Sequence, residues 1–229
     1  MKDVLGQALS DQYHKASPGK LWVHNKYGPK EKMPLQVYFR EPDAMPELEW
    51  IALQQCRGKI LDIGAGAGSH ALCLQKMGQD ITALDISPKA AEIMRLRGVQ
   101  KIVCQDFFTL DTGQYDTLLL LMNGIGLAGT LSGLREFLRH ARKLLGPGGR
   151  LIFDSSDIAY LYEGKPPAMK EYYGEILYQY EYKKERSDWF KWLFIDKKLV
   201  TEILASEGWS TRILMEDEYD QYLAVSQIA

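Results

Sequence analysis

The chain has 229 residues, 46% apolar and 25% charged, with a formal charge of −2; this suits one substantial core with elaborations better than two equal domains. A pI near 6.1 gives no global attraction to polyanions, so nucleic acid or an anionic membrane would need a local basic patch. None is evident: Arg135, Arg139, Arg142 and Lys143 alternate with apolar residues as on the solvated face of a helix.

In chain order, residues 1–43 hold Tyr13, Trp22, His24, Tyr27, Tyr38, Phe39 and Arg40 among prolines and glycines, and are expected to form an N-terminal cap. From residue 44 to 229 strand and helix signals alternate, which predicts one doubly wound α/β domain. A helix with Leu48, Ile51, Ala52 and Cys56 on one stripe ends before Gly58, and a strand over Lys59–Ile63 follows. The helix His70–Met77 stops at Gly78. A second strand, Ile81–Asp85, leads to Ser87-Pro88, a hydroxyl cap with proline at the first helical position. That helix stops at Gly98, and a third strand covers Lys101–Cys104. The strand Thr117–Met122 is continuously apolar, as for a central strand buried on both faces, and Asn123-Gly124 ends it. A helix carrying Leu131, Leu134, Leu138, Ala141 and Leu145 stops at Gly146-Pro147-Gly148-Gly149, and Arg150–Asp154 is the fifth strand. Residues 155–195 form an aromatic-rich insertion in which alternation over Tyr178, Tyr180 and Tyr182 predicts a β-hairpin. A last helix, Lys197–Glu207, precedes two strands, Thr211–Met215 and Tyr222–Ser226, whose short acidic link favours an antiparallel hairpin.

Ile60-Leu61-Asp62-Ile63-Gly64-Ala65-Gly66-Ala67-Gly68-Ser69-His70 reads as a buried strand breaking into a glycine turn that opens a helix. Glycines at alternate positions admit positive φ and remove side chains that would hold an adenosyl group at a distance. A dinucleotide fingerprint wants Gly-x-Gly-x-x-Gly. Here the third glycine comes one residue early and Ser69 stands where that fingerprint has glycine, while Asp62 suits a cationic ligand better than a pyrophosphate.

With Asp85 after Ala83-Leu84 and Asp106 in Gln105-Asp106-Phe107, the stretch resembles the class I S-adenosylmethionine-dependent methyltransferases, from about residue 44 to the C-terminus; the Leu-Leu-Gly-Pro-Gly-Gly stop shares the resemblance. It implies a Rossmann-like methyltransferase fold: a mostly parallel seven-stranded sheet with helices on both faces and an antiparallel C-terminal strand. It also implies S-adenosylmethionine as cofactor and S-adenosylhomocysteine as product. The cofactor-binding set it implies is Asp62, Gly64, Ala65, Gly66, Gly68, His70, Asp85, Ile86, Asp106, Phe107 and Asn123. In that set Asp62 orients the methionine end, Asp85 accepts from both ribose hydroxyls and Asp106 accepts from the adenine amino group. His70 reaches the methionine carboxylate or simply covers the turn, and Asn123 faces the sulfonium or simply ends its strand.

Methyl transfer from a sulfonium is an in-line displacement that rewards alignment and exclusion of water rather than a fixed triad. No catalytic residue is assigned; His24, Tyr27, Tyr38 and Asp154 are weak candidates for a base. The Asp/Asn-Pro-Pro-aromatic motif of nucleic-acid amino-methyltransferases is replaced by Asn123-Gly124-Ile125-Gly126, and the paired-glutamate loop of protein arginine methyltransferases is missing. A small-molecule acceptor is therefore expected. A non-catalytic S-adenosylmethionine-binding protein and a nicotinamide-dependent oxidoreductase are the rival readings. The insertion is open to three roles: lining an acceptor pocket, packing on its own core, or forming a homodimer interface. Cys56, Cys73 and Cys104 are expected to be reduced core residues. The four scattered histidines support no metal site. The polar first 15 residues and the short apolar run Leu118–Met122 predict a cytoplasmic protein without membrane contact.

Overall fold

The computed structural model describes residues 2–15, 19–26, 28–162 and 171–229. Among these a seven-stranded sheet has the order β11(Trp209–Glu216), β12(Gln221–Ile228), β7(Leu145–Ser156), β6(Tyr115–Leu120), β3(Lys59–Ile63), β4(Asp80–Asp85), β5(Ile102–Cys104). β4 runs parallel to β5 and β6 parallel to β7, while β12 is antiparallel to both β7 and β11. The architecture is the doubly wound α/β sheet with an antiparallel C-terminal hairpin that the sequence predicts.

By Cα packing the chain divides into two compact units, one of Met1–Met45, Leu61–Leu110 and Leu177–Phe190, the other of Pro46–Ile60, Asp111–Ile176 and Lys191–Ala229. In the first, α1(Val4–Tyr13) packs on α4(Pro88–Arg97). Asp3 caps α1 through Gly6 N–H and accepts from Ser87 Oγ (2.7 Å), and Ser87 caps α4 through Ala90 N–H. β1(Leu21–Asn25) lies antiparallel between β2(Glu31–Met33) and β8(Glu175–Tyr182), with Val23 opposite Tyr180 and Leu21 opposite Tyr182. Residues from the cap and from the aromatic insertion therefore share one small sheet, which β9(Glu185–Arg186) and β10(Phe190–Leu193) extend. Leu21, Leu35, Leu9 and Tyr182 form its core.

In the second unit α2(Glu47–Gln55), α5(Leu131–Leu144) and α6(Lys197–Ser206) accompany the remaining strands. Three arginines of α5 are bound rather than merely solvated. Arg135 and Arg139 pair with Glu207, and Arg142 donates to the Glu207 carbonyl, which ties α5 to the end of α6. Among the described residues, positions 1–43 contain a ten-residue helix and two strands. Two further expectations are corrected. β7 begins at Leu145, so the Gly-Pro-Gly-Gly stretch lies inside the strand. Cys56 and Cys73 are buried but Cys104 is exposed, because β5 is a three-residue edge strand.

Candidate functional site

β3 delivers Asp62 to the head of the glycine turn. Gly64 and Ala65 N–H both donate to the Leu84 carbonyl of β4, so the chain is turned tightly before α3(Ser69–Lys76) begins. Gly64 and Gly68 have φ of +75° and +81°. A Cβ at Gly68 would meet Met94 and Val99 at 2.9 Å, whereas one at Gly64 would meet nothing within 4 Å. Gly68 is thus glycine for packing, while Gly64 keeps an open face.

Asp62 is only 2% exposed, and its Oδ2 finds no hydrogen-bond partner among the described residues. Burial pushes its carboxyl up to about 6, opposed by the neighbouring His70 and reinforced by Asp85. His70 is buried beside the turn. Asp85 accepts from Gly66 N–H through Oδ2 and from Ser87 N–H through Oδ1, each at 2.8 Å. Burial raises its carboxyl while those N–H groups pull it down. Each oxygen keeps a lone pair for a ligand hydroxyl. Beside it Ile86 is 65% exposed, an apolar side chain offered to solvent.

Asp106 caps the 3₁₀ turn Phe107–Thr109, accepting from Phe108 N–H at 2.9 Å. Phe107 is 3% exposed and belongs to the core. The exposed ring there is Phe108. These residues are all in the first unit. In the second, Met122 and Asn123 follow β6 with φ of +62° and +55°. Asp154, fully buried, receives Asn123 N–H in both oxygens (2.8 and 2.9 Å) and the Gln221 amide in Oδ2 (2.9 Å). Burial pushes its carboxyl to about 6 against those donors. The Asn123 side chain donates to the Leu193 carbonyl and accepts from Ser155 Oγ; its amide already serves the turn at both ends.

Of the candidate bases, His24 contacts Glu181 at 2.9 Å, and Glu181 is held at about 2 by bonds from Lys30, Arg186 and His24 that outweigh its burial. Tyr27 lies outside the described residues. Tyr38 is pushed up to about 12, by burial and then by Asp85. Among the described residues no set of three or more His, Cys, Asp or Glu is placed to hold a metal. Sequence reasoning missed Ser69 and Arg97, which bind the Tyr38 carbonyl, because nothing in their local spacing marks a partner so far along the chain.

A partnerless buried carboxylate oxygen, an open glycine face and a second carboxylate with free lone pairs suit a ligand bearing an ammonium group and vicinal hydroxyls. A pyrophosphate would meet two carboxylates. Residues 61–153 match the family model of a methyltransferase domain. The chain is 38% identical to a crystallised S-adenosylmethionine-dependent methyltransferase from Bacteroides fragilis in complex with S-adenosylhomocysteine, covering all of this chain and 95% of that one at a TM-score of 0.93. It is 24% identical over 105 residues to a ubiquinone biosynthesis O-methyltransferase of Xanthomonas oryzae, 42% of either chain. It is 34% identical over 113 residues to a ribosomal protein L11 methyltransferase of Laribacter hongkongensis, 46% of this chain and 35% of that one. The match thus spans about two fifths of the length of these curated relatives. The chain belongs to the S-adenosylmethionine-dependent methyltransferases, and S-adenosylmethionine is the cofactor.

Proposed function

We propose that the chain transfers a methyl group from S-adenosylmethionine to a small-molecule acceptor, with Asp62, Gly64, Ala65, Gly66, Gly68, His70, Asp85, Ile86 and Asp106 forming the donor cradle. The bound cofactor supplies an activated methyl group on a sulfonium. Asp62 would bind the ammonium end, Asp85 the ribose hydroxyls and Asp106 the adenine amino group, with Ile86 as an apolar wall. The cap, residues 1–43, and the insertion, residues 155–195, would exclude water.

Positioning rather than proton abstraction is the contribution this chain is built to make. The Asp154 carboxylate is committed to N–H donors, and Tyr38 keeps its proton at neutral pH. The observation carrying the acceptor class is the turn after β6. There Trp192 lies so close over Gly126 that a Cβ would sit 2.1 Å from its indole nitrogen. A turn covered in this way suits an enclosed acceptor, and a formal charge of −2 gives the chain no overall attraction to a polyanion. The quinone pathway named for the Xanthomonas relative supports the reading; the ribosomal protein named for the Laribacter relative is the rival. Incubation with radiolabelled S-adenosylmethionine and either phenol and quinol acceptors or ribosomal protein and RNA separates them. Label in the small-molecule fraction is expected; label only in protein or RNA would overturn the proposal.

A further inference from the structure

We propose that Tyr38 and Tyr180 are cofactor-binding residues: two phenols, one before α2 and one on β8, close over the glycine turn and donate hydrogen bonds to the methionine and ribose part of the donor. This rests on reading the glycine turn as the donor cradle.

The Tyr38 ring lies directly on that turn. A Cβ at Gly66 would be 3.2 Å from its Cδ1 and 3.7 Å from its Cε1. The backbone there is pinned in place. Ser69 Oγ donates to the Tyr38 carbonyl at 2.8 Å, and Arg97 donates to the Ala67 carbonyl at 2.7 Å and to Ser69 Oγ at 3.2 Å. The Arg97 guanidinium also stands 5.2 Å from the centre of the Phe39 ring, which stacks on Tyr13. The backbone that carries the Tyr38 ring is thus held at several points.

Tyr180 reaches the same cluster from β8. Its backbone exchanges hydrogen bonds with Ser187, N–H to Oγ and carbonyl to N–H, both at 3.0 Å, and its ring lies 5.1 Å from Phe190. With Tyr38 it packs against the core of Leu21, Leu35 and Tyr182. The hydroxyls set these two tyrosines apart. Tyr182, on the same strand, donates to Asp11 at 3.0 Å and accepts from Gly19 N–H at 2.9 Å. Neither Tyr38 nor Tyr180 has a hydroxyl partner among the described residues.

A half-buried phenol whose hydroxyl takes no protein partner is free to give its O–H to a bound ligand. Both stay protonated at neutral pH: burial raises Tyr38 to about 12 and Tyr180 further, and the nearby Asp85 adds to each. They are therefore donors, and the Asp85 carboxylate near them already accepts Gly66 and Ser87 N–H. Hydroxyl and carboxylate oxygens of the bound donor are the acceptors these phenols would meet.

Calorimetric titration of the full chain with S-adenosylhomocysteine tests this. Tyr38→Phe and Tyr180→Phe keep the packed rings and remove one neutral donor each, so affinity should fall on the order of fivefold for each and roughly 25-fold for the double variant. The melting temperature without ligand should stay near that of the parent. Unchanged affinity in both variants would overturn the inference, as would a lower melting temperature with unchanged affinity, which assigns the hydroxyls to folding alone. Failure of the underlying reading looks different: the parent chain would not bind S-adenosylhomocysteine, or Asp85→Ala would bind it normally.

Discussion

The turn after β3 and the turn after β6 end two buried strands, and they do it in opposite ways. The first uses glycine at its left-handed positions and leaves polar valence open: Asp62 Oδ2 has no partner among the described residues, and the face over Gly64 is clear. The second places Met122 and Asn123 in the left-handed region and closes every valence around them, with Asp154 taking backbone and amide donors and Asn123 bonded at both ends of its amide. Open valence on an unstrained turn is what a ligand can complete. Closed valence on a strained turn is what a scaffold uses to hold a shape.

The largest expected effect breaks the closed turn. Asp154→Ala would leave the half-buried Asn123 N–H and Gln221 amide without their acceptor. Each orphaned donor costs up to about 1–3 kcal/mol, partly offset because the substitution also removes a carboxyl that burial raises to about 6, so urea unfolding at pH 7 should show a net loss of about 1–3 kcal/mol. A loss under about 1 kcal/mol would mean that the carboxylate does not hold the turn, and the contrast would fail.

Asp62→Asn probes the open turn. The folded chain raises this carboxyl from 3.8 to about 6, so it binds the proton more tightly than the unfolded chain does. Its contribution to stability is full below the unfolded value and is lost as pH rises through about 6. At pH 7 the parent therefore carries a penalty of about 2–3 kcal/mol that the neutral amide avoids. Asp62→Asn should be more stable than the parent at pH 7 and show a flatter decline between pH 4 and 6; Asp154, also near 6, keeps part of the slope. Affinity for S-adenosylhomocysteine should fall about tenfold or more, since a charged hydrogen bond is worth about 1.5–3 kcal/mol. A variant both less stable and equally tight in binding would make Asp62 a scaffold residue.

Much of this was legible in the residues. Alternating apolar runs and glycine stops placed β3, α3, β4 and α4 within about one residue, and the Asp62 to His70 stretch marked the glycine turn by type and spacing. What escaped depends on partners distant in sequence. α1 was hidden because its buried face includes Gly6 and Ala8, too small to make an apolar stripe. Phe107 and Phe108 could not be assigned to inside and outside within a three-residue turn. Tyr38 and Tyr180 are 142 positions apart, and only the β1–β8 pairing puts them in one cluster. The commitment of Asp106 and Asn123 to local hydrogen bonds is likewise a fact of three-dimensional geometry.

Gly64→Ala is expected to have a smaller effect on stability and a clear one on binding. At φ +75° a side chain costs about 1–2 kcal/mol, and nothing within 4 Å adds a clash. The new methyl group would stand on the open face, so affinity for S-adenosylhomocysteine should drop while thermal unfolding moves by only a few degrees. If affinity is retained, the cofactor does not use that face.

The smallest effect is expected at Met122, and it sharpens the account of the strained turn. Met122→Gly removes a left-handed cost of about 1–2 kcal/mol, but it also loses a half-buried side chain and loosens the unfolded chain by about 1 kcal/mol. The opposing terms nearly cancel, so unfolding free energy should stay within about 1 kcal/mol of the parent. Because the Asp154 and Asn123 hydrogen bonds involve neither the Met122 side chain nor its N–H, the turn should keep its shape and methyl transfer its rate. Asp154→Ala and Met122→Gly then separate two ideas that the static turn combines. If Met122→Gly kept stability yet slowed methyl transfer, the strained backbone itself would be positioning the reacting groups, and the second turn would no longer be scaffold alone.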